Sequence, residues 1–397
     1  MVYTLDWRVW IEVLLLLLAG IALCRRFLPL PVATTVVALR LGFTVLYFER
    51  YFHGYWVGGD GPRYFYGGMT LLTQGFNPIT ALTTSAGLLS LQTIATGSQI
   101  TYFWWNLLLE YFFGARFCVP VLCNTGLTFL AAYFAFRTVR LAGAELRYAR
   151  IMGLVLLVHP EIVAYSSIAN YKDVLVYCLT VIILYLLLAM TMRARLLHVL
   201  ALALLSFAAL GLRFYVPIVA LAVFGMWTLL HERGWRRWLL VVLAAFAALG
   251  AARYINFSAF LSLVSLLLKV GGVAYGFMHM LLTPRPYALP FWESFLFIPA
   301  VCNWAFMPLA PLGAWGLWRA SRPARFLLLY LLTLLLVFSF FPFFQEYREQ
   351  FQYYYILIWA QFHGGWMVLH RLRQASARLQ RPAEGAAWSV QEDVPTA

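Results

Sequence analysis

The run FLLLYLLTLLLVFSFF, residues Phe326 to Phe341, carries no charged side chain. With its flanks it reaches the roughly 20 apolar residues that a helix needs to cross the hydrocarbon of a bilayer. Arg322 and Arg325 stand just before it, and Glu346-Tyr347-Arg348-Glu349 follow it. Leu197 to Leu212 and Leu239 to Ala252 repeat the pattern. The chain as a whole is 63% hydrophobic and only 11% charged, against roughly 25% charged in soluble domains, and no soluble core absorbs that surplus. The expected fold is all-α, a polytopic bundle of transmembrane helices.

Where the charges sit matters more than the net +14. Well over half of the 29 basic residues cluster between alternate apolar runs: Arg25 and Arg26; Arg137, Arg140, Arg147 and Arg150; Arg193 and Arg195; Arg233, Arg236 and Arg237; Arg319, Arg322 and Arg325; Arg371, Arg373, Arg378 and Arg381. The positive-inside rule assigns that side to the cytoplasm and leaves no nucleic-acid partner to infer. About eleven spans follow, near 8–25, 31–48, 117–137, 150–166, 174–192, 196–212, 215–231, 237–254, 296–318, 325–342 and 352–370. Arg25 and Arg26 directly after the apolar stretch Val13 to Leu23, with no small-x-small site, point to an uncleaved anchor. Residues 1–373 form the membrane domain, and 374–397 read as a polar cytoplasmic tail. Two long extracytoplasmic connections, 49–116 and 255–295, mix apolar runs with Gly, Pro, Thr and Tyr and are expected to fold as interfacial amphipathic helices. The five cysteines, Cys24, Cys118, Cys123, Cys178 and Cys302, lie in or beside apolar runs without metal-ligand spacing and read as packing residues.

Chemistry concentrates on the side opposite the arginine clusters. Gly58-Gly59-Asp60-Gly61-Pro62-Arg63-Tyr64 opens a helical pattern that runs to Gly75, with Pro62 suited to the first helical position. Asp60 then stands at a helix N-terminus, where the dipole favours the ionised carboxylate, either as a base or as a simple cap. A second polar segment, His159-Pro160-Glu161 through Asn170-Tyr171-Lys172-Asp173, is expected as a short connection on the same side. Lys172 can meet a phosphate, and Asp173 can orient it or start the next helix. Arg213, Arg285 and Arg348 persist on the face the positive-inside rule depletes, so a lipid phosphate or carboxylates must stabilise them. Together with Lys172 they make an expected cationic ring. Arg63, Tyr64, His159, Glu161 and Asp173 are expected to support the substrate. Arg40 and Glu110, in predicted apolar helices, are expected to face inward and pair with each other. His53, His159, His279 and His363 are too scattered for a metal motif, and a divalent cation stays an open alternative. Aromatic clusters such as Tyr51 to Trp56 and Tyr353 to Tyr355 read first as interfacial belts.

Taken together, the acid in Gly59-Asp60 with Tyr64 and a helix ending at Gln74-Gly75, the later Pro160, Ser166-Ser167 and Lys172-Asp173 segment, and Arg348 before the last span resemble the GT-C superfamily. These are integral membrane glycosyltransferases and include protein mannosyltransferases and the aminoarabinose transferases of lipid A. The resemblance covers roughly residues 30–370. It implies a polyprenyl-phosphate sugar donor, an extracytoplasmic acceptor that is a glycan, glycolipid or protein, and transfer of a hexose or pentose with inversion. It implies Asp60 as base and Lys172 and Arg348 at the donor phosphate, in a bacterial inner membrane with the site on the extracytoplasmic face. The chain departs from that pattern in an extra span before Asp60 and in lacking a second acid beside it. Two rivals remain: a polysaccharide polymerase or ligase acting on lipid pyrophosphate, which would depend on arginines, and a lipid or solute transporter, which would show broken helices with polar groups at mid-membrane.

Overall fold

The computed structural model describes residues 5–52, 60–96, 99–192, 195–231, 270–340 and 347–379. Every regular element among them is helical: α1 (Trp7–Cys24), α2 (Leu30–Leu46, continued by a π turn Tyr47–Tyr51), α3 (Asp60–Thr73), α4 (Thr80–Thr83), α5 (Ser85–Ile94), α6 (Ile100–Phe113), α7 (Cys118–Leu141), α8 (Leu146–Val158), α9 (Pro160–Ile168), α10 (Lys172–Met192), α11 (Leu196–Arg213), α12 (Tyr215–His231), α13 (Val270–Leu282), α14 (Phe297–Phe306), α15 (Leu309–Ala320), α16 (Arg322–Phe340) and α17 (Tyr354–Leu379). Six of these, α1, α2 with its π turn, α7, α10, α11 and α16, are long and apolar enough to cross a membrane. Two bent pairs, α8 with α9 and α14 with α15, bring the number to eight when each counts as one span. A helix also occupies the expected span at 215–231, and α17 takes in all but the first two residues of the expected span at 352–370. The expected span at 237–254 and most of the second long connection lie outside the described residues.

Burial sorts the helices by position. α10 is buried along almost its whole length and forms the centre of the bundle, whereas α1 and α11 expose Leu14, Leu15, Leu18, Leu196, Leu200, Leu204 and Phe207. An exposed apolar stripe of that size belongs against lipid, because water would not tolerate it. α15 and α17 meet backbone to backbone: a Cβ on Gly313 would fall 1.7 Å from the carbonyl oxygen of Ala360, and one on Gly364 2.1 Å from that of Leu309. Small residues at such a crossing let two helix backbones approach and pack.

Three of the arginine-rich segments meet at one end. The turn 142–145 after α7, the turn 320–321 before α16, and His370, Arg371 and Gln374 of α17 line one cavity of about 700 Å³. α17 continues to Leu379, past the expected start of the tail at 374. Gln374-Ala375-Ser376-Ala377-Arg378-Leu379 contains good helix formers, and Gln374 hydrogen-bonds His370 one turn back at 3.0 Å.

The α8–α9 bend of 45° has a local chemical cause. Pro160 has no N–H and pushes His159 out of the helical region, to φ −61° and ψ 124°. The backbone N–H of Glu161 then donates to Nδ1 of His159 at 3.3 Å rather than to the carbonyl of Leu157. Arg40 of α2 fills that vacancy. One of its terminal nitrogens donates to the Leu157 carbonyl at 2.5 Å, the other to Oγ of Ser166 at 2.6 Å and Oγ1 of Thr128 at 3.3 Å. Arg40 therefore fastens a broken helix, and the expected pair with Glu110 does not form. Arg40→Met removes the charge together with its partners' donors and leaves one carbonyl unsatisfied. The expected cost is about 1–3 kcal/mol, read as a lowered unfolding midpoint in detergent.

Glu110 is instead buried on α6 against Gly68 of α3, where a Cβ would come within 2.7 Å of the carboxyl oxygens. Neither oxygen has a hydrogen-bond partner among the described residues. Burial pushes this carboxyl up to about 9. A group whose folded value is raised binds more protons folded than unfolded. Its cost is therefore absent below the ordinary 4.5 and grows as pH rises towards about 9. Glu110→Gln should stabilise the protein by on the order of 1–3 kcal/mol at pH 7–8 and by little near pH 4, measured as paired unfolding curves at the two pH values.

Candidate functional site

At the end opposite the arginine turns, α3, α6 and the start of α10 converge. α3 begins at Asp60, two residues earlier than Pro62 suggested, so Pro62 is the third helical residue and its missing N–H falls among the first four, which have no helical acceptor. Four helices, α3 to α6, fold the first long connection. Gly58 and Gly59, expected to open the approach to Asp60, and His53 to Trp56 of the aromatic cluster lie outside the described residues.

Asp60 and Tyr64 are one helical turn apart, and the Tyr64 hydroxyl lies 3.3 Å from an Asp60 carboxylate oxygen. The Lys172 ammonium donates to the same hydroxyl at 3.2 Å, and its nitrogen sits 5.8 Å from the centre of the Tyr64 ring. Gln99 presents its side-chain oxygen to the hydroxyl as well. The single phenolic proton is thus shared between Asp60 and Gln99 while the oxygen accepts from Lys172. Burial first, then the Asp60 and Asp173 carboxylates, hold the Tyr64 phenol above its usual range, so it stays neutral and keeps that proton to donate. Edge-on contacts with Tyr102 at 4.8 Å and Phe103 at 5.2 Å fix its ring.

Asn170 joins the three elements. Its amide donates to the Gly61 carbonyl at 3.2 Å and to Asn106 at 2.8 Å, and its oxygen accepts from Tyr102 at 2.6 Å. Asn124 of α7 completes the network, donating to the Tyr102 hydroxyl and to the Tyr171 carbonyl, each at 3.3 Å. These buried polar groups set Asp60 and Lys172 relative to one another. Gln99 sits at φ 61°, a left-handed conformation costly for a residue with a Cβ and common where a side chain must be aimed.

Asp173, next to Lys172, forms a buried ion pair with Arg213 at the end of α11, 2.6 Å apart, with 1% and 9% of the two side chains exposed. Arg213 also donates to the Tyr215 hydroxyl at 3.1 Å, which accepts from Gln352 at 2.7 Å. This chain of contacts ties α10, α11 and α12 to the 3-10 turn Tyr347–Gln352. Arg348 is in that turn, but its side chain lies outside the described residues.

The sequence-predicted residues thus separate. Asp60, Tyr64 and Lys172 come together, with Asp173 adjacent. Arg213 belongs to the same end but commits its charge to Asp173, since a guanidinium this buried requires an acid. Arg285 is tied to Tyr275 at 2.9 Å and to His279 on α13, an exposed local arrangement, and the Tyr275 hydroxyl holds its value above the usual arginine range. Its described contacts do not bring it into a ring around Asp60. Arg63 donates to Thr96 at 2.7 Å and lies over Phe103, bracing the turn before α6. His159 and Glu161 are not on a short connection: they flank the α8–α9 break. Glu161 accepts from Gln350 at 3.0 Å, and the His159 ring meets Tyr354 edge-on. The connection shrinks to Ala169–Tyr171.

Sequence reasoning gave no role to Gln99, Asn106, Asn170, Tyr102, Tyr215 or Gln352. A lone Asn inside the apolar run Trp104 to Leu109 was the available signal, because an amide in such a helix needs a partner. No group of three or more His, Cys, Asp or Glu side chains among the described residues is placed to hold a metal ion. Compared with known proteins, the chain matches no family model, no curated protein and no solved structure.

Proposed function

We propose that this chain is a polytopic membrane glycosyltransferase of about eleven spans, similar to the GT-C superfamily, that moves a sugar from a polyprenyl-phosphate donor to an extracytoplasmic acceptor. The observation that carries the proposal is the Asp60–Tyr64–Lys172 arrangement at the end of the bundle that the arginine clusters avoid. A carboxylate and an ammonium held on either side of one neutral phenol can take a proton from one reactant and meet negative charge on another. α3 to α6 are the interfacial helices of the first long connection, and residues 255–295 contain the second.

In the proposed reaction an acceptor hydroxyl attacks the anomeric carbon and gives its proton to Asp60. The bond from that carbon to the phosphate oxygen breaks, and the electron pair leaves with the polyprenyl phosphate. Lys172 stabilises the departing phosphate, and the resemblance adds Arg348. Asp173 and Arg213 act one step removed, fixing the start of α10 on which Lys172 sits. A lipid-anchored donor confined to the membrane plane shortens the search and fixes its orientation.

The test is transfer itself. Vesicles containing the purified chain are given polyprenyl-phosphate-linked sugars, and products are identified by mass spectrometry alongside cell-envelope glycans, glycolipids and glycoproteins from cells with and without the protein. Loss of one glycan species on deletion, with transfer from a polyprenyl-phosphate donor in vesicles, is the expected result. No transfer from any such donor, or a rate that collapses with Arg285→Ala and ignores Asp60→Asn, would favour the arginine-dependent polymerase or ligase instead.

A further inference from the structure

A second cavity lies between α8 and α17, on the arginine-rich half of the bundle and apart from Asp60. Arg147, Ile151 and Val155 of α8, with His159 just past its end, line it at a spacing of four residues, which places them in one stripe. Ile358, Phe362, Trp366 and Arg373 line it from α17, which runs antiparallel to α8, so Arg147 and Arg373 meet at the same end. The stripe from Arg147 to His159 is about 18 Å long at the helical rise of ~1.5 Å per residue. One leaflet of hydrocarbon is about half of ~30 Å thick. The cavity volume is about 470 Å³. A groove of that volume, apolar along its body and about as long as one leaflet is thick, suits a single hydrocarbon chain lying along it.

Charge names the headgroup. The body of the groove is apolar, while Arg147 and Arg373 stand exposed at its mouth, in the turn region where Glu145 is the nearby acid. We propose that this groove binds one acyl chain of an anionic phospholipid from the leaflet on the arginine-rich side. Its phosphate sits between Arg147 and Arg373, and the chain runs along Ile151 and Val155 to His159. The site depends on the membrane reading of the fold and not on Asp60 or on sugar transfer.

The full chain, purified in a neutral detergent, is titrated with phosphatidylglycerol or phosphatidylcholine of the same acyl length, and retained lipids are counted by native mass spectrometry. The expected result is one phosphatidylglycerol retained and no phosphatidylcholine. The double change Arg147→Gln with Arg373→Gln, both exposed, weakens that retention on the order of tenfold to thirtyfold. Gly365→Leu attacks the other half of the site. A Cβ there meets only Leu309 Cδ1 at 3.6 Å, so the side chain enters the groove without touching backbone, and retention is lost while the unfolding midpoint stays in place. Equal retention of both lipids, or phosphatidylglycerol binding indifferent to all three changes, overturns the proposal. So does cross-linking that finds a second copy of the chain in the groove.

Discussion

Asp60→Asn lowers sugar transfer by about 100- to 10,000-fold, the range a positioned base contributes, while the amount of folded protein stays the same. Asn keeps the size of Asp60, and its amide oxygen still accepts from the Tyr64 hydroxyl that now lies 3.3 Å from the carboxylate. Asp60 is only half-buried and starts its helix rather than filling the core, so the change spares packing and removes proton affinity. Tyr64→Phe provides the companion measurement. It deletes the oxygen that joins Asp60 to Lys172 and Gln99 but leaves the carboxylate, so transfer falls less than with Asp60→Asn and donor KM rises as Lys172 loses its partner. Initial rates in vesicles, normalised to folded protein, read both. A full rate from well-folded Asp60→Asn removes Asp60 from the chemistry, whatever its surroundings.

The helices were legible because crossing a bilayer makes a demand that one segment satisfies alone: enough apolar residues in a row. The grouping of two arginine-rich segments was legible too: the turn 142–145 after α7 and Arg371 of α17 line one cavity at one end of the bundle. Eleven spans are not counted in the described residues. α17 is interrupted by Gln361, His363, Gly364 and Gly365, and the short α12 and α13 fall below full crossing length. Pro160 announced the α8–α9 break, but nothing local announced Arg40 as its fastener. The partners Leu157 and Ser166 are 117 and 126 residues away in sequence.

The site divides along the same line. Asp60 and Tyr64 are a helical neighbour pair, and Lys172 stood out as a rare lysine on the arginine-poor side, so these were readable. What holds them was not readable. Asn170 acts through three distant partners, and Gln99 through a backbone angle. Charge alone also misled: Arg285 and Arg213 were expected at a phosphate, yet Arg285 serves Tyr275 and His279 within its own segment, and Arg213 serves Asp173. An arginine on the depleted face reveals that it has a partner, not which one.

Asp173→Leu strands the buried Arg213 guanidinium and should cost about 3–5 kcal/mol, and Arg213→Met strands the Asp173 carboxylate at a similar cost. The pair is nearly fully enclosed, so solvent cannot take over the lost interaction. The double variant Asp173→Leu with Arg213→Met removes both charges and should recover most of the loss, since replacing a buried pair by apolar groups of similar volume is often neutral. Unfolding midpoints of the four proteins in one detergent give the coupling directly, and single changes that each cost under ~1 kcal/mol would mean that water reaches the pair. The double variant also separates scaffold from chemistry. Arg213 connects through Tyr215 to Gln352, and Asp173 follows Lys172 in the first turn of α10, so the pair sets where Lys172 points. If that setting matters, the refastened double variant is stable yet transfers sugar more slowly, with a raised donor KM. If the rate returns together with stability, the ion pair is a fastener alone, and Lys172 owes its position to Tyr64.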